Sequence, residues 1–305
     1  MSICIIHLSD IHIKNETDTI LTRVDDISRA CASVIQNNSD VVIAISGDIA
    51  FSGLSSQYEL ANTIITRISE YLESQKNSHI YTALVPGNHD CDFSNDTSVR
   101  RILIDNMKSE VDEEFYKTVS SVQNNYAEFA SCFDIDANRI LAKKEIVVNG
   151  DKILFLLANT AWMSVIREIP GNIIMPTEIF DDVDPREYKA VFYILHHPTS
   201  WLNPDYKISF VEHIRNNADF VLIGHEHARD SYKQIGDRFS VLCSHGKELQ
   251  DSDSLESAFS VIVFDDAFQT YTVFDFSWSD NKYERVNENT NQFHKNIASL
   301  HSMNI

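Results

Sequence analysis

Five apolar runs in this chain each stop at residues able to hold a metal ion. "ICIIHL" (3–8) leads to Asp10 and His12, and "DVVIAI" (40–45) leads to Asp48. "IYTALV" (80–85) leads to Asn88, His89 and Asp90. "AVFYIL" (190–195) leads to His196 and His197, and "DFVLIG" (219–224) to His225 and His227. Runs this short and this continuously apolar read as strands buried on both faces, the pattern of a parallel sheet. Between the first three lie stretches of helical spacing. Residues 18–37 carry Ile20, Leu21, Val24, Ile27, Ala30, Cys31 and Val34 on one face, and residues 56–73 are helical again. Strand–helix–strand alternation predicts an α/β fold. In such sheets the carboxyl ends of the strands meet at one edge, where ligands bind. The pattern therefore delivers Asp, His and Asn from five loops to one place.

The middle of the chain reads differently. Residues 98–132 form a long helical stretch rich in charge and aromatics, and two strands follow at 144–149 and 152–159, joined by an Asn149-Gly150 turn. Residues 160–188 hold Pro170-Gly171, Pro176 and Pro185 and read as irregular. From 230 only short strands are expected, at 238–243, 258–264 and 269–276, and the polar residues 277–305 read as a tail. At 305 residues there is length for one large domain or two small ones.

The formal charge is −20, from 25 basic and 45 acidic residues, which disfavours non-specific binding to a phosphate backbone. No stretch approaches the ~20 apolar residues of a membrane span, and the first ten residues lack the basic region of a secretory signal. The five cysteines are odd in number and form no CxxC pair, which fits a reducing cytoplasm.

The candidate ligands are carboxylates, imidazoles and an amide, a set that suits Mn²⁺, Zn²⁺ or iron better than a thiolate-selected metal. They are too many for one ion. Two ions roughly 3.5–4 Å apart, sharing one carboxylate, would use them all and clamp a phosphoester. Asp48 is the lone acid of its motif and is suited to be shared, while Asn88 ligates without adding charge. His89 stands beside the site and can act as a general acid near neutral pH. Asp90 is placed to orient it or a loop. Gly47, Gly87 and Gly224 each precede a candidate ligand, three of only eight glycines in the chain. Glycine there permits the close backbone approach a crowded site needs.

Asp-x-His, Gly-Asp, Gly-Asn-His-Asp, a later His and Gly-His-x-His, in that order, resemble the calcineurin-like metallophosphoesterase family over roughly residues 1–276. The resemblance implies a two-sheet β-sandwich flanked by helices, with residues of about 95–140 as a helical cap and 277–305 as a polar C-terminal tail. It also implies that Asp10, His12 and His227 hold a first divalent cation, that Asp48 bridges, and that Asn88, His196 and His225 complete a second. His89 then faces substrate and stabilises or protonates the leaving oxygen. Manganese is the expected metal, with iron, zinc or nickel as alternatives.

Each motif alone has a plainer reading. Asp10 and Asp48 could be turn formers, and His225 and His227 surface histidines. His196 is preferred to His197 because the first His after the strand usually ligates in families of this kind. His7 reads as a core histidine, Asn159 as a satisfied turn residue, and Arg100-Arg101 as the exposed start of a helix. Phe115, Tyr116, Tyr126 and Phe129 read as packing residues. "GDIAFSGLSSQYELA", with Tyr58 and Glu59, resembles bacterial cyclic-nucleotide phosphodiesterases of the family, so the expected reaction is hydrolysis of a cyclic or other small nucleotide by a metal-bridging hydroxide. A nuclease is the first alternative, although residues 91–145 hold 7 basic and 11 acidic residues and no cationic stripe. A regulatory or effector module acting with a protein partner, or as a homo-oligomer, is the second.

Overall fold

The computed structural model describes residues 2–107, 111–226, 231–236, 239–250 and 256–296, and for residues 231–236, 239 and 240 the backbone alone. Among these, two six-stranded sheets lie face to face. In the first, β1 (Ile3–Leu8), β2 (Asp40–Ser46) and β3 (His79–Val85) run parallel, and β10 (Ala258–Phe264), β11 (Thr270–Ser279) and β12 (Lys282–Gln292) continue it antiparallel in the order β12-β11-β10-β1-β2-β3. The second sheet contains β4 (Leu141–Val148), β5 (Asp151–Ala158), β6 (Ala190–Leu195), β7 (Phe220–Ile223), β8 (Ser231–Gly236) and β9 (Phe239–His245). Its order is β4-β5-β6-β7-β9-β8, with β5, β6, β7 and β9 parallel. The expected helix-flanked sandwich is the fold observed.

Period-two burial builds the layers. On β5, Ile153, Phe155 and Leu157 join the core shared with the first sheet, while Leu154, Leu156 and Ala158 join a second core on the opposite face. Phe155, Phe192 and Phe220 stack across three strands at 5.0 and 4.9 Å, and Phe264 of the other sheet meets Phe192 and Phe220 edge-on. Each such ring contributes roughly 1.5–3 kcal/mol by leaving water. Helices α1 (Thr19–Val34) and α2 (Ser55–Lys76) pack Ile20, Val24, Ile27, Ile64, Ile65 and Ile68 into the core of the first sheet. Helix α6 (Pro204–Asn217) turns Phe210 and Ile214 toward the outer face of the second. Among the described residues, no helix is long and apolar enough to cross a membrane.

Three regions differ from the sequence reading. The stretch at 98–132 is helical as read, but divided among three short α-helices whose breaks the sequence reading did not place, α3 (Ser98–Asp105), α4 (Glu113–Val119) and α5 (Asn124–Ser131). Side-chain caps at Thr97 and Asp112 start the first two. Their aromatics pack inward as expected: Phe129 stacks on Tyr58 at 5.0 Å, and the Tyr126 hydroxyl donates to the Leu84 carbonyl. Arg100 is not exposed. It is fully buried, donating to the Val119 and Ser164 carbonyls and to Asp96, while Arg101 lies outside on the same carboxylate. The polar stretch after 277 is not loose through its first half. Lys282–Gln292 pairs along β11 after a two-residue turn in which Asp280 and Asn281 both have positive φ. That turn matches the twist of a hairpin. As an edge strand exposed on most positions, β12 carries no apolar alternation to betray it.

Candidate metal centre

The carboxyl ends of the parallel strands are tied together by backbone bonds that run past the sheet. Asp10, Ile11 and His12 donate their amides to the carbonyls of Gly47 and Asp48, and Ile13 donates to Ile49. The loops after β1 and β2 thus zip side by side, which brings Asp10, His12 and Asp48 together. Asp90 ties the loop after β3 to the same place. Its carboxylate accepts from the amides of Ile49, Ala50 and Gly87, and from the Tyr58 hydroxyl at 3.0 Å. Burial and the nearby Asp48 charge push the Asp90 carboxyl up to about 6. Asp90 is therefore a clamp on loops, and Tyr58, fully occupied with it, is a buried support and not a substrate contact.

Two glycines show how closely the loops approach. A Cβ on Gly87 would lie 2.1 Å from Asp48 Oδ1, and one on Gly47, whose φ is +98°, would lie 2.5 Å from His196 Nδ1. No larger residue fits at either place without moving a candidate ligand.

Within this frame the side chains converge. Asp48 Oδ1 accepts the His89 amide at 2.8 Å, which turns Oδ2 inward. His196 Nε2 stands 3.3 Å from that Oδ2, 3.1 Å from Asn88 Oδ1 and 3.2 Å from His225 Nδ1. On the other side His12 Nε2 lies 3.9 Å from both Asp48 Oδ2 and Asp10 Oδ1. Two groups of donors share Asp48: Asp10 and His12 on one flank, Asn88, His196 and His225 on the other. His227, the remaining expected ligand, lies outside the described residues.

The donor chemistry fits cations. His196 Nδ1 donates to the Ser46 carbonyl at 2.8 Å, which leaves Nε2 with its lone pair unless a second proton is added. Without that proton the lone pair faces a carboxylate oxygen and an amide oxygen, so either a proton or a metal cation has to stand among these acceptors. Donors about 2.1 Å from one ion sit roughly 3–3.4 Å apart, as these do. Asp10 Oδ1 and His12 Nδ1 are buried and have no hydrogen-bond partner. Charge balance points the same way. Burial opposes charge on His196, but the Asp48 carboxylate outweighs it and pushes the imidazole up. Burial would likewise raise the Asp48 carboxyl, yet His196, His12 and His89 hold it below the usual carboxylate range. A divalent cation would take the place of the proton that this pair otherwise retains.

Four of these residues have left-handed backbones: Asp10, His12, Asp48 and His225, with φ from +50° to +70°. Non-glycine residues rarely adopt that region, and such outliers gather at functional sites.

His197 is turned away. Its Nε2 pairs with Glu168 at 3.0 Å and its amide and Nδ1 meet Thr160 Oγ1. His197 does stand near His196 and His225, close enough for the three to form a candidate ligand group. Its Nε2 is already committed to Glu168, so the hydrogen bonds favour His196 as the inward donor. Glu168 gave no sequence signal, because residues 160–188 have no period from which a buried carboxylate could stand out. His7 is buried on the Ser46 hydroxyl, and Asn159 is satisfied by Tyr116, Gln123 and the Ala161 amide. His89 donates Nδ1–H to the Phe51 carbonyl at 2.9 Å, which leaves Nε2 for a cleft of about 450 Å³ that it lines with Asn88 and Phe51.

The sequence pattern of the family described as calcineurin-like phosphoesterase matches residues 4–229. No curated protein matches. Solved structures similar to the chain include Vps29 of Entamoeba histolytica complexed with zinc, at 11% identity and a TM-score of 0.38, covering 95% of this chain and 99% of that one. The calcineurin-like phosphoesterase YfkN of Bacillus subtilis is 12% identical with a TM-score of 0.38, covering 97% of this chain and 91% of the other. A predicted phosphoesterase of Streptococcus pneumoniae is 12% identical with a TM-score of 0.37, covering 96% and 98%. The chain belongs to the calcineurin-like phosphoesterase family, the metal-dependent hydrolases of phosphoric esters.

Proposed function

We propose that the protein hydrolyses a phosphodiester of a cyclic or other small nucleotide, with two divalent cations, manganese foremost, sharing Asp48. The observation that carries this reading is the convergence of Asp48 Oδ2, Asn88 Oδ1 and His225 Nδ1 on His196 Nε2, four atoms each able to ligate a cation. Asp10 and His12 offer the second position beside Asp48, with His227 as its further ligand. When bound, the cations supply positive charge for the phosphoryl oxygens and make water acidic enough to attack near neutral pH.

The chain's own residues do the rest. Asp48 orients itself through the His89 amide and presents one oxygen to both positions. The Phe51 carbonyl fixes His89, whose Nε2–H donates a proton to the leaving oxygen. Asp90 and Tyr58 hold the loops in register. A small substrate is supported by the charge of −20, which repels a long polyanion. Cys4, Cys31, Cys91 and Cys243 are buried, Cys132 is exposed, and none of them is in a disulfide among the described residues, which supports a cytoplasmic location.

The test is turnover by manganese-loaded protein of bis-p-nitrophenyl phosphate, cyclic nucleotides and single-stranded oligonucleotides. Hydrolysis of the first two, with little on the third, is expected. Preference for oligonucleotides with a steep salt dependence would replace the reading with a nuclease.

A further inference from the structure

The cleft beside His89 has walls unlike the metal centre it adjoins. Phe51, Leu54 and Ile166 keep 39%, 42% and 73% of their surface in water there, and Phe93 and Val165 add to the apolar lining. Single exposed apolar residues are ordinary on a protein surface. Several lining one concave space of about 450 Å³ next to a reactive centre are the usual make-up of a ligand subsite. The Phe51 ring reaches from the centre outward: its centroid lies 5.3 Å from that of His89 and 6.5 Å from that of His12. Lys14 Nζ sits 4.5 Å from the same ring.

The charge of this space is equally specific. Among the described residues lining it there is no lysine or arginine, and the one charged side chain is the Asp92 carboxylate. Asp92 is itself tied down, accepting from the Ser94 amide and hydroxyl and from Asn95 Nδ2, so it does not swing away. Lys14 lies over the Phe51 ring and is not part of the lining, so a second phosphate inside the cleft would meet an acid and hydrocarbon and would lose hydration with little in return. A flat, uncharged ring would meet Phe51, Leu54 and Ile166.

We propose that this cleft is the subsite for the leaving group on the His89 side, and that it selects an uncharged aromatic or apolar ring against a group bearing further phosphate. The proposal rests on the phosphoesterase reading above, with His89 as proton donor to that leaving oxygen. The space accommodates a base or aryl ring, and its lack of cations sets the chain against esters whose leaving group is itself a phosphate.

Titration calorimetry of manganese-loaded protein with non-hydrolysable phosphonates tests it without turnover. Phenylphosphonate should bind at least about tenfold tighter than methylphosphonate, the gain expected from partly burying a ring. A second phosphonate para on that ring should remove the advantage. Ile166→Asp, at a position 73% exposed and outside the core, and Phe51→Ala, which keeps the backbone carbonyl that holds His89, should each bring the phenyl-to-methyl ratio toward one. Equal affinity for the two phosphonates, a ratio unchanged in both variants, or tighter binding of the diphosphonate would overturn the subsite while leaving the metal centre standing. Failure of both phosphonates to bind would overturn both this subsite and the reading beneath it.

Discussion

The interior of the sandwich and the edge where its parallel strands end are made by opposite rules. Inside, Phe155, Phe192 and Phe220 stack in register on ordinary extended backbone. At the edge, Asp10, His12, Asp48 and His225 hold left-handed backbones, and Asp10 Oδ1 and His12 Nδ1 are buried without partners. Other non-glycine residues with positive φ, such as Asn38, Asn77, Asn149, Asp280 and Asn281, are turn formers for which that region is cheap. His12 and His225 have no such excuse, and each such backbone costs on the order of 1 kcal/mol or more. Phe268 also has a positive φ, +53°, and packs in the core, and His7 Nδ1 is buried there without a partner, so neither feature alone singles out the edge; at Asp10 and His12 the two coincide on candidate ligands, and that coincidence marks the edge as the part under functional constraint.

That contrast is tested most severely at Asp48. Asp48→Asn keeps an acceptor for the His89 amide but removes the shared charge. Activity should fall on the order of 10³-fold with loss of bound metal, while the metal-free variant still unfolds cooperatively. Measured turnover, metal content and a urea melt decide it; a variant that cannot fold would make the edge structural after all. Gly87→Ala should damage both regions at once. Its Cβ would lie 2.1 Å from Asp48 Oδ1, so about 1–3 kcal/mol of stability and most activity should be lost together in a paired melt and assay.

His89→Ala should leave the metals bound and slow esters with poor leaving groups by roughly 10²-fold, p-nitrophenyl esters much less. Equal slowing of both would remove His89 as the proton donor. For the interior, His7 supplies a pH test. Burial first, then nearby positive charge from His245 and Lys247, lowers its imidazole to about 3. A folded value below the unfolded ~6.5 means stability is intact above pH 6.5 and falls as pH drops, by about 1.4 kcal/mol per unit. Urea melts of metal-free parent and His7→Gln at pH 7, 6 and 5 should differ by about half that amount between pH 7 and 6 and by nearly all of it between pH 6 and 5. The smallest effect belongs to the outer strand: Val286→Thr on β12, 62% exposed, should stay within about 0.5 kcal/mol in the same melts.

The same contrast explains what was legible in the sequence. β1, β2, β6 and β7 are buried along their whole length, so their apolar runs are continuous, and each ends abruptly at a candidate ligand. Both the fold and the candidate site follow from that juxtaposition. β12 escaped because an edge strand with mostly exposed positions needs no apolar residues. Arg100 escaped because its burial depends on carbonyls at Val119 and Ser164, distant in sequence and without side-chain identity. Glu168, Val165 and Ile166 escaped because they sit in an irregular segment whose position is set by what it packs against, not by a period. Long-range polar satisfaction leaves no local trace in a chain, whereas a buried strand does.

The central claim is that one carboxylate serves two cations. Anomalous diffraction from manganese-soaked crystals measures it directly. The account predicts two peaks about 3.5–4 Å apart with Asp48 Oδ2 reaching both, Asp10 and His12 around one, and Asn88, His196 and His225 around the other. A single peak away from Asp48, or none at saturating manganese, would contradict it.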